Sequence, residues 1–153
     1  MKTHWIITAE SFIGLKEVSN KNDHPLLTEG WARRGLRWLI GQPWCGLFVA
    51  HCLQTYPKNF YRAKEWLNWG VLIEAPVYGC VVVFGRTGGG HVGFVVGKDK
   101  QGRLLVLGGN QNNAVNVLPF DTGRVLGYRV PYGYKGAALV TVVSNAKSST
   151  NEA

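Results

Sequence analysis

Residues 91–111, "HVGFVVGKDKQGRLLVLGGNQ", decide the fold. Two runs rich in Val and Leu flank the polar segment Asp99–Lys100–Gln101–Gly102, the pattern of two strands joined by a tight turn. If that segment is the turn, Lys98 faces Arg103 and the numbers of paired residues add to 201, so His91 falls opposite Asn110. Directly opposed residues share a face with Cβ atoms about 4.5–5.5 Å apart, close enough for an amide oxygen to hold an imidazole N–H. Strand alternation then points Gln111 away from His91. A turn of odd length, or a bulge, breaks this register.

Outward from the hairpin, the chain has two textures. From residue 78 onward it is β-branched and punctuated by Gly and Asn: "GCVVVFG" (79–85) precedes the hairpin, and "AVNVLPF" (114–120) and "VLGYRVP" (125–131) follow it. Before residue 70 apolar residues recur at helical spacing, in "TAESFIGLKEV" (8–18), after Cys45 at Phe48, Val49 and Cys52, and in "RAKEWLNWG" (62–70). Helices followed by strands predict an α+β domain in which N-terminal helices pack on a meandering antiparallel sheet. A single domain is expected over 1–145, with a polar, flexible tail over 146–153.

The composition allows a sizeable core, with 46% hydrophobic and 17% charged residues in 153. The net charge of +8 fits an anionic partner: nucleic acid, a membrane surface or an acidic wall polymer. The basic residues are scattered apart from "ARRGLR" (32–37), and no nucleic-acid-binding motif is present, so nucleic acid is not expected as a partner. Apolar runs such as "CVVVF" are far too short to cross a membrane, so no membrane insertion is expected. The start, "MKTHWIITAESF", is too short in its apolar part for a signal peptide. Synthesis in the cytoplasm without a signal peptide is the expectation.

The chemistry centres on "GQPWCGLFVAHCL" (41–53), which places Cys45 where a helix begins, among backbone N–H groups without intrahelical partners. That position favours a thiolate nucleophile. Cys45, a histidine at a strand start and an amide on the adjoining strand supply nucleophile, general base and orienter in the chain order Cys45, His91, Asn110. An oxyanion donor is also required; the Cys45 backbone N–H is one, and Gln42 is a candidate side-chain donor. Trp44, beside the nucleophile, is a candidate for the substrate cleft. Cys52 and Cys80 read as core thiols, since Cys52 follows Cys45 by two helical turns, about 10 Å, too far to bridge. No zinc-ligand spacing and no P-loop occur, and no metal or cofactor is expected.

"PWCGLFVAHCL" (43–53), "GGGHVGFVVG" (88–97) and "LGGNQNNAVNV" (107–117) together resemble the CHAP and NlpC-type cysteine amidohydrolases of bacteria and phages. The resemblance covers roughly residues 8–131. It implies a papain-like core and cleavage of an amide bond in peptidoglycan, with Cys45 as nucleophile, His91 as base and Asn110 as third polar residue. The third motif departs from the Glu followed two residues later by Asn that many CHAP members carry; here Gly109-Asn110-Gln111-Asn112 stands in its place, which makes Asn112 the rival of Asn110. The implied setting is a phage lysin or an interbacterial toxin. It would be a monomer that acts in the periplasm or cell wall after release by a holin or secretion machine, with an immunity or delivery protein as further partner. The competing reading is a catalytically silent wall-binding or phage-tail module of the same fold.

Overall fold

A computed structural model describes residues 3–18 and 24–142. The tail expected over 146–153 lies outside the described residues. Among the described residues three α-helices precede the sheet: α1 (His4–Ser11), α2 (Pro25–Ala32) and α3 (Cys45–Leu53), with a 3-10 helix at Ala63–Asn68. α1 starts where the Thr3 hydroxyl accepts from the Ile6 N–H and is tied to the sheet by Trp5, whose indole donates to the Gly79 carbonyl at 2.8 Å. It ends at Ser11, earlier than the apolar spacing of 8–18 suggests, because Leu15 and Glu17 form backbone hydrogen bonds with Val115 and Asn113 instead. The "RAKEWLNWG" helix is 3-10 and not α.

α3 is buried almost all round, from Cys45 to Ala50 and again at Cys52 and Leu53, which makes it the central helix of the core. Its second residue must be glycine, since a Cβ on Gly46 would collide with the Phe60 carbonyl oxygen. This contact fixes the helix start, and with it Cys45.

The sheet comprises β1 (Val71–Ile73), β2 (Val81–Arg86), β3 (Gly89–Asp99), β4 (Leu104–Gln111), β5 (Ala114–Phe120), β6 (Val125–Val130) and β7 (Thr141–Val142). The spatial order is β1-β6-β2-β3-β4-β5, so β2 to β5 form the expected antiparallel meander and β6 crosses back to pair with β2. The two-residue β7 runs parallel to the end of β3. Val81, Val83, Val92 and Phe94 face α1 and α3, while Val82, Phe84, Val95 and Val106 form a second core on the opposite face. The sheet curls until Phe84 of β2 and Phe120 of β5, three strands apart, stack at 4.7 Å. One face is therefore the inside of a partial barrel and the other carries the helices, an α+β architecture compatible with a papain-like fold.

The β3–β4 register is a result of two offsets. At the site end Phe94 pairs with Leu107 and Val95 with Val106, as expected, yet at the turn Lys98 pairs with Leu104 rather than Arg103. The turn is one residue longer than expected, and a bulge between Val95 and Gly97 cancels the difference.

Candidate active site

Cys45 is the first residue of α3 and sits, 3% exposed, at the floor of a cleft of about 430 Å³. Beyond the Phe94–Leu107 pair, β3 and β4 have no further paired residues. The Val95 N–H donates to Cys80 on the β2 side, so alternation directs the Val92 N–H toward β4, where the Cys45 sulfur accepts it. Burial pushes the thiol above its ordinary pKa; the N–H groups of Val92 and Gly46 and the Arg86 guanidinium pull it only part of the way back. Burial thus opposes the thiolate that the helix start was expected to favour. Desolvation outweighs the helix terminus here.

His91 lies directly opposite Phe84 and therefore on the inner face of the curled sheet. Its ring is fully buried and parallel to Phe120 at 5.4 Å. The thiol and the imidazole thus lie on different faces of β3, and the sulfur accepts from the backbone N–H of Val92, the first amide after His91. The ring nitrogen nearer that backbone is Nδ1. The far nitrogen, Nε2, is 3.0 Å from Oε1 of Gln111.

Gln111 was expected to face away from His91, and the structure corrects this. Asn110 has φ +58°, and the β4–β5 register shifts between Gly108–Asn116 and Gln111–Ala114, so one extra residue on β4 turns Gln111 to the His91 face. Gly108 leaves room for it, since a Cβ there would strike Gln111 Oε1. The Gln111 amide nitrogen donates to Val106 O at 3.1 Å, Asn116 O at 3.0 Å and Asn116 Oδ1 at 2.9 Å. Three acceptors around the nitrogen settle the amide orientation and leave Oε1 as an acceptor. His91 Nε2 must then carry the proton, and in the neutral ring Nδ1 carries the lone pair.

The other sequence candidates fall elsewhere. Asn110 is buried, but neither its amide oxygen nor its nitrogen has a hydrogen-bond partner, so it is not the orienter. Asn112 is exposed; with Asn113 it forms a two-residue turn between β4 and β5, both at φ near +57°. Two successive left-handed residues are what such a hairpin requires. Trp44 is 1% exposed, packs on Gly109 and donates to Glu17 Oε1 at 3.3 Å, so it belongs to the core and not to the cleft. Gln42 is exposed and outside the residues that line the cleft, unlike its neighbour Pro43. Cys52 and Cys80 are fully buried, and burial pushes the Cys80 thiol up to about 12.

Sequence reasoning missed Gln111 as the partner of His91 and Arg62, Lys64 and Arg86 as cleft residues. The first had a signal: "NQNN" surrounds the glutamine with three asparagines, the residue type after glycine that best tolerates left-handed backbone.

A thiol at the start of a buried helix and a histidine on the adjacent curled antiparallel sheet are arranged in a fold compatible with the papain-like class. Residues 38–110, just under half of the chain, match the family model described as CHAP domain, consistent with a CHAP-type family. No curated protein matches the chain. CHAP domains are typically cysteine- and histidine-dependent amidohydrolases. The matched interval contains Cys45 and His91 and stops one residue before Gln111.

Proposed function

We propose that this protein cleaves an amide bond of bacterial peptidoglycan with Cys45 as nucleophile, His91 as general base and Gln111 as the residue that orients the imidazole. The observation that carries the reading is the Gln111–His91 hydrogen bond, which favours the ring proton on Nε2 and the basic lone pair on Nδ1, the nitrogen nearer the backbone whose next amide, Val92 N–H, bonds the sulfur. In the first step His91 Nδ1 takes the thiol proton and the sulfur attacks the substrate carbonyl. The Cys45 backbone N–H, free of intrahelical bonding at a helix start, is directed at the developing oxyanion. The imidazolium then protonates the leaving amine, and water released onto the thioester by the same base regenerates the thiol. Gln111 Oε1 can accept from Nε2 in both charge states of the ring, so the orientation persists through the cycle.

Gln111 is neutral, and burial raises the thiol pKa, so the thiol form of Cys45 is favoured over the thiolate at rest. The net charge of +8 supports adhesion to an anionic wall. A role in phage lysis or in antagonism between bacteria, with release by a holin or a secretion machine, fits this chemistry.

Mass spectrometry of purified peptidoglycan digested by the protein tests the reading. New amine and carboxyl termini are expected, absent with Cys45→Ser and unaffected by EDTA. Binding to the wall with no new termini would leave only the silent wall-binding module.

A further inference from the structure

The cleft above Cys45 has cationic walls. Arg62 and Lys64 flank buried Ala63 on one side, and Arg86 closes the β2–β3 turn on the other; all three are exposed. Among the described residues none of the three pairs with a carboxylate. The one acid that lines the cleft, Glu65, accepts from Asn68 Nδ2 at 3.4 Å.

The cations are also held in place. The Lys64 stem lies against Gly90, where a Cβ would be 3.1 Å from its Cγ. The Arg62 guanidinium lies 6.0 Å from the Tyr61 ring, at the edge of cation–π range. The Arg86 guanidinium folds back over Gly89. Three positive charges at the mouth of a site with one negative charge constitute an anion-selective entrance.

We propose that this cleft selects peptides with a free carboxylate beside the scissile amide, Arg62 and Lys64 binding it from one wall and Arg86 from the other. The inference rests on the hydrolase reading and names the substrate class within it: acidic stem peptides rather than the same peptides with that carboxylate amidated. Carboxylate and primary amide have nearly the same shape, so discrimination between them isolates charge. Arginine adds a two-pronged fork that matches a carboxylate.

The experiment uses a pair of synthetic muropeptides that differ only in a free or amidated carboxylate next to the cleaved bond. Affinity is measured calorimetrically on the Cys45→Ala protein, and kcat/KM on the wild type. The free acid is expected to bind and react about tenfold better, because hydrogen bonds to charged groups exceed neutral ones. The double variant Arg62→Gln/Lys64→Gln should reduce that preference to about twofold through KM rather than kcat, and about 0.3 M salt should weaken only the acid. Equal affinity for the two peptides, or a preference unchanged in the double variant, overturns the proposal. Selective binding of the acid without turnover by the wild type overturns the hydrolase reading and leaves the anion subsite standing.

Discussion

The two ends of the β3–β4 hairpin solve opposite problems. At the far end Asp99 accepts from the N–H groups of Gln101 and Arg103 at 2.9 Å each and from Arg103 Nε at 2.7 Å, so the turn satisfies itself within five residues. At the near end the strands part, Asn110 is buried in a left-handed conformation with no partner for its amide, and Gln111 reaches across to His91. A buried amide without partners costs about 1–3 kcal/mol, and a left-handed non-glycine residue adds to that. The near end gives up local satisfaction to aim one side chain. The far end, which has no chemistry, gives up nothing.

The largest effect expected from disturbing this contrast is at the nucleophile: Cys45→Ser should lower turnover at least a thousandfold with an unchanged circular dichroism spectrum. Wild-type turnover in that variant would remove Cys45 from the mechanism. Gln111→Ala should lower kcat about a hundredfold, because the imidazole loses the partner that fixes its tautomer. Asn110→Ala should lower kcat less than tenfold and change stability by no more than about 1 kcal/mol, since the strain of alanine in left-handed backbone is offset by removal of a buried amide without partners. Reversal of that order would return the orienting role to Asn110.

The far end should behave as scaffold. Asp99→Asn should lower Tm and leave kcat within about twofold. Burial alone would raise the Asp99 carboxyl; the Arg103 and Gln101 amides and the Arg103 guanidinium outweigh it and hold the group below the usual carboxylate range. Its stabilising contribution is thus present above the ordinary carboxylate pKa and lost as pH falls through the lowered folded value. The Tm gap between wild type and Asp99→Asn should accordingly close in strong acid, and a gap that widens there would contradict the assignment. The smallest effect belongs to Arg86→Gln. Arg86 draws the Cys45 thiol pKa down, so its loss should move the rise of Cys45 alkylation by iodoacetamide to higher pH, by less than about one unit for an exposed charge. In the wild type that rise should lie above the ordinary thiol range; a plateau by neutral pH would show a resting thiolate.

Much of this contrast was legible in the residues. β-Branched runs between Gly and Asn punctuation marked β2 to β6, and Pro43 with Trp44 marked the start of α3. The short elements were not legible, because three residues of β1 and two of β7 are too few for a periodic signal and are set by the strands they join. The site register was legible at Phe94–Leu107 only because a longer turn and a bulge compensate. Alternation failed at Gln111 for a physical reason: a single left-handed residue adds one position to β4 and reverses the face of all that follows. Trp44 looked like a cleft residue by its place beside Cys45, but successive helix-start residues point in different directions, and its ring went under Gly109.

The central claim is that Gln111 places the proton of His91, and the tautomer of that ring tests it most directly. Long-range proton–nitrogen correlation spectra of the wild type above the imidazole pKa should show His91 protonated at Nε2, and Gln111→Ala should lose the single tautomer while Asn110→Ala keeps it. A wild-type His91 protonated at Nδ1, or a tautomer indifferent to Gln111, would contradict it.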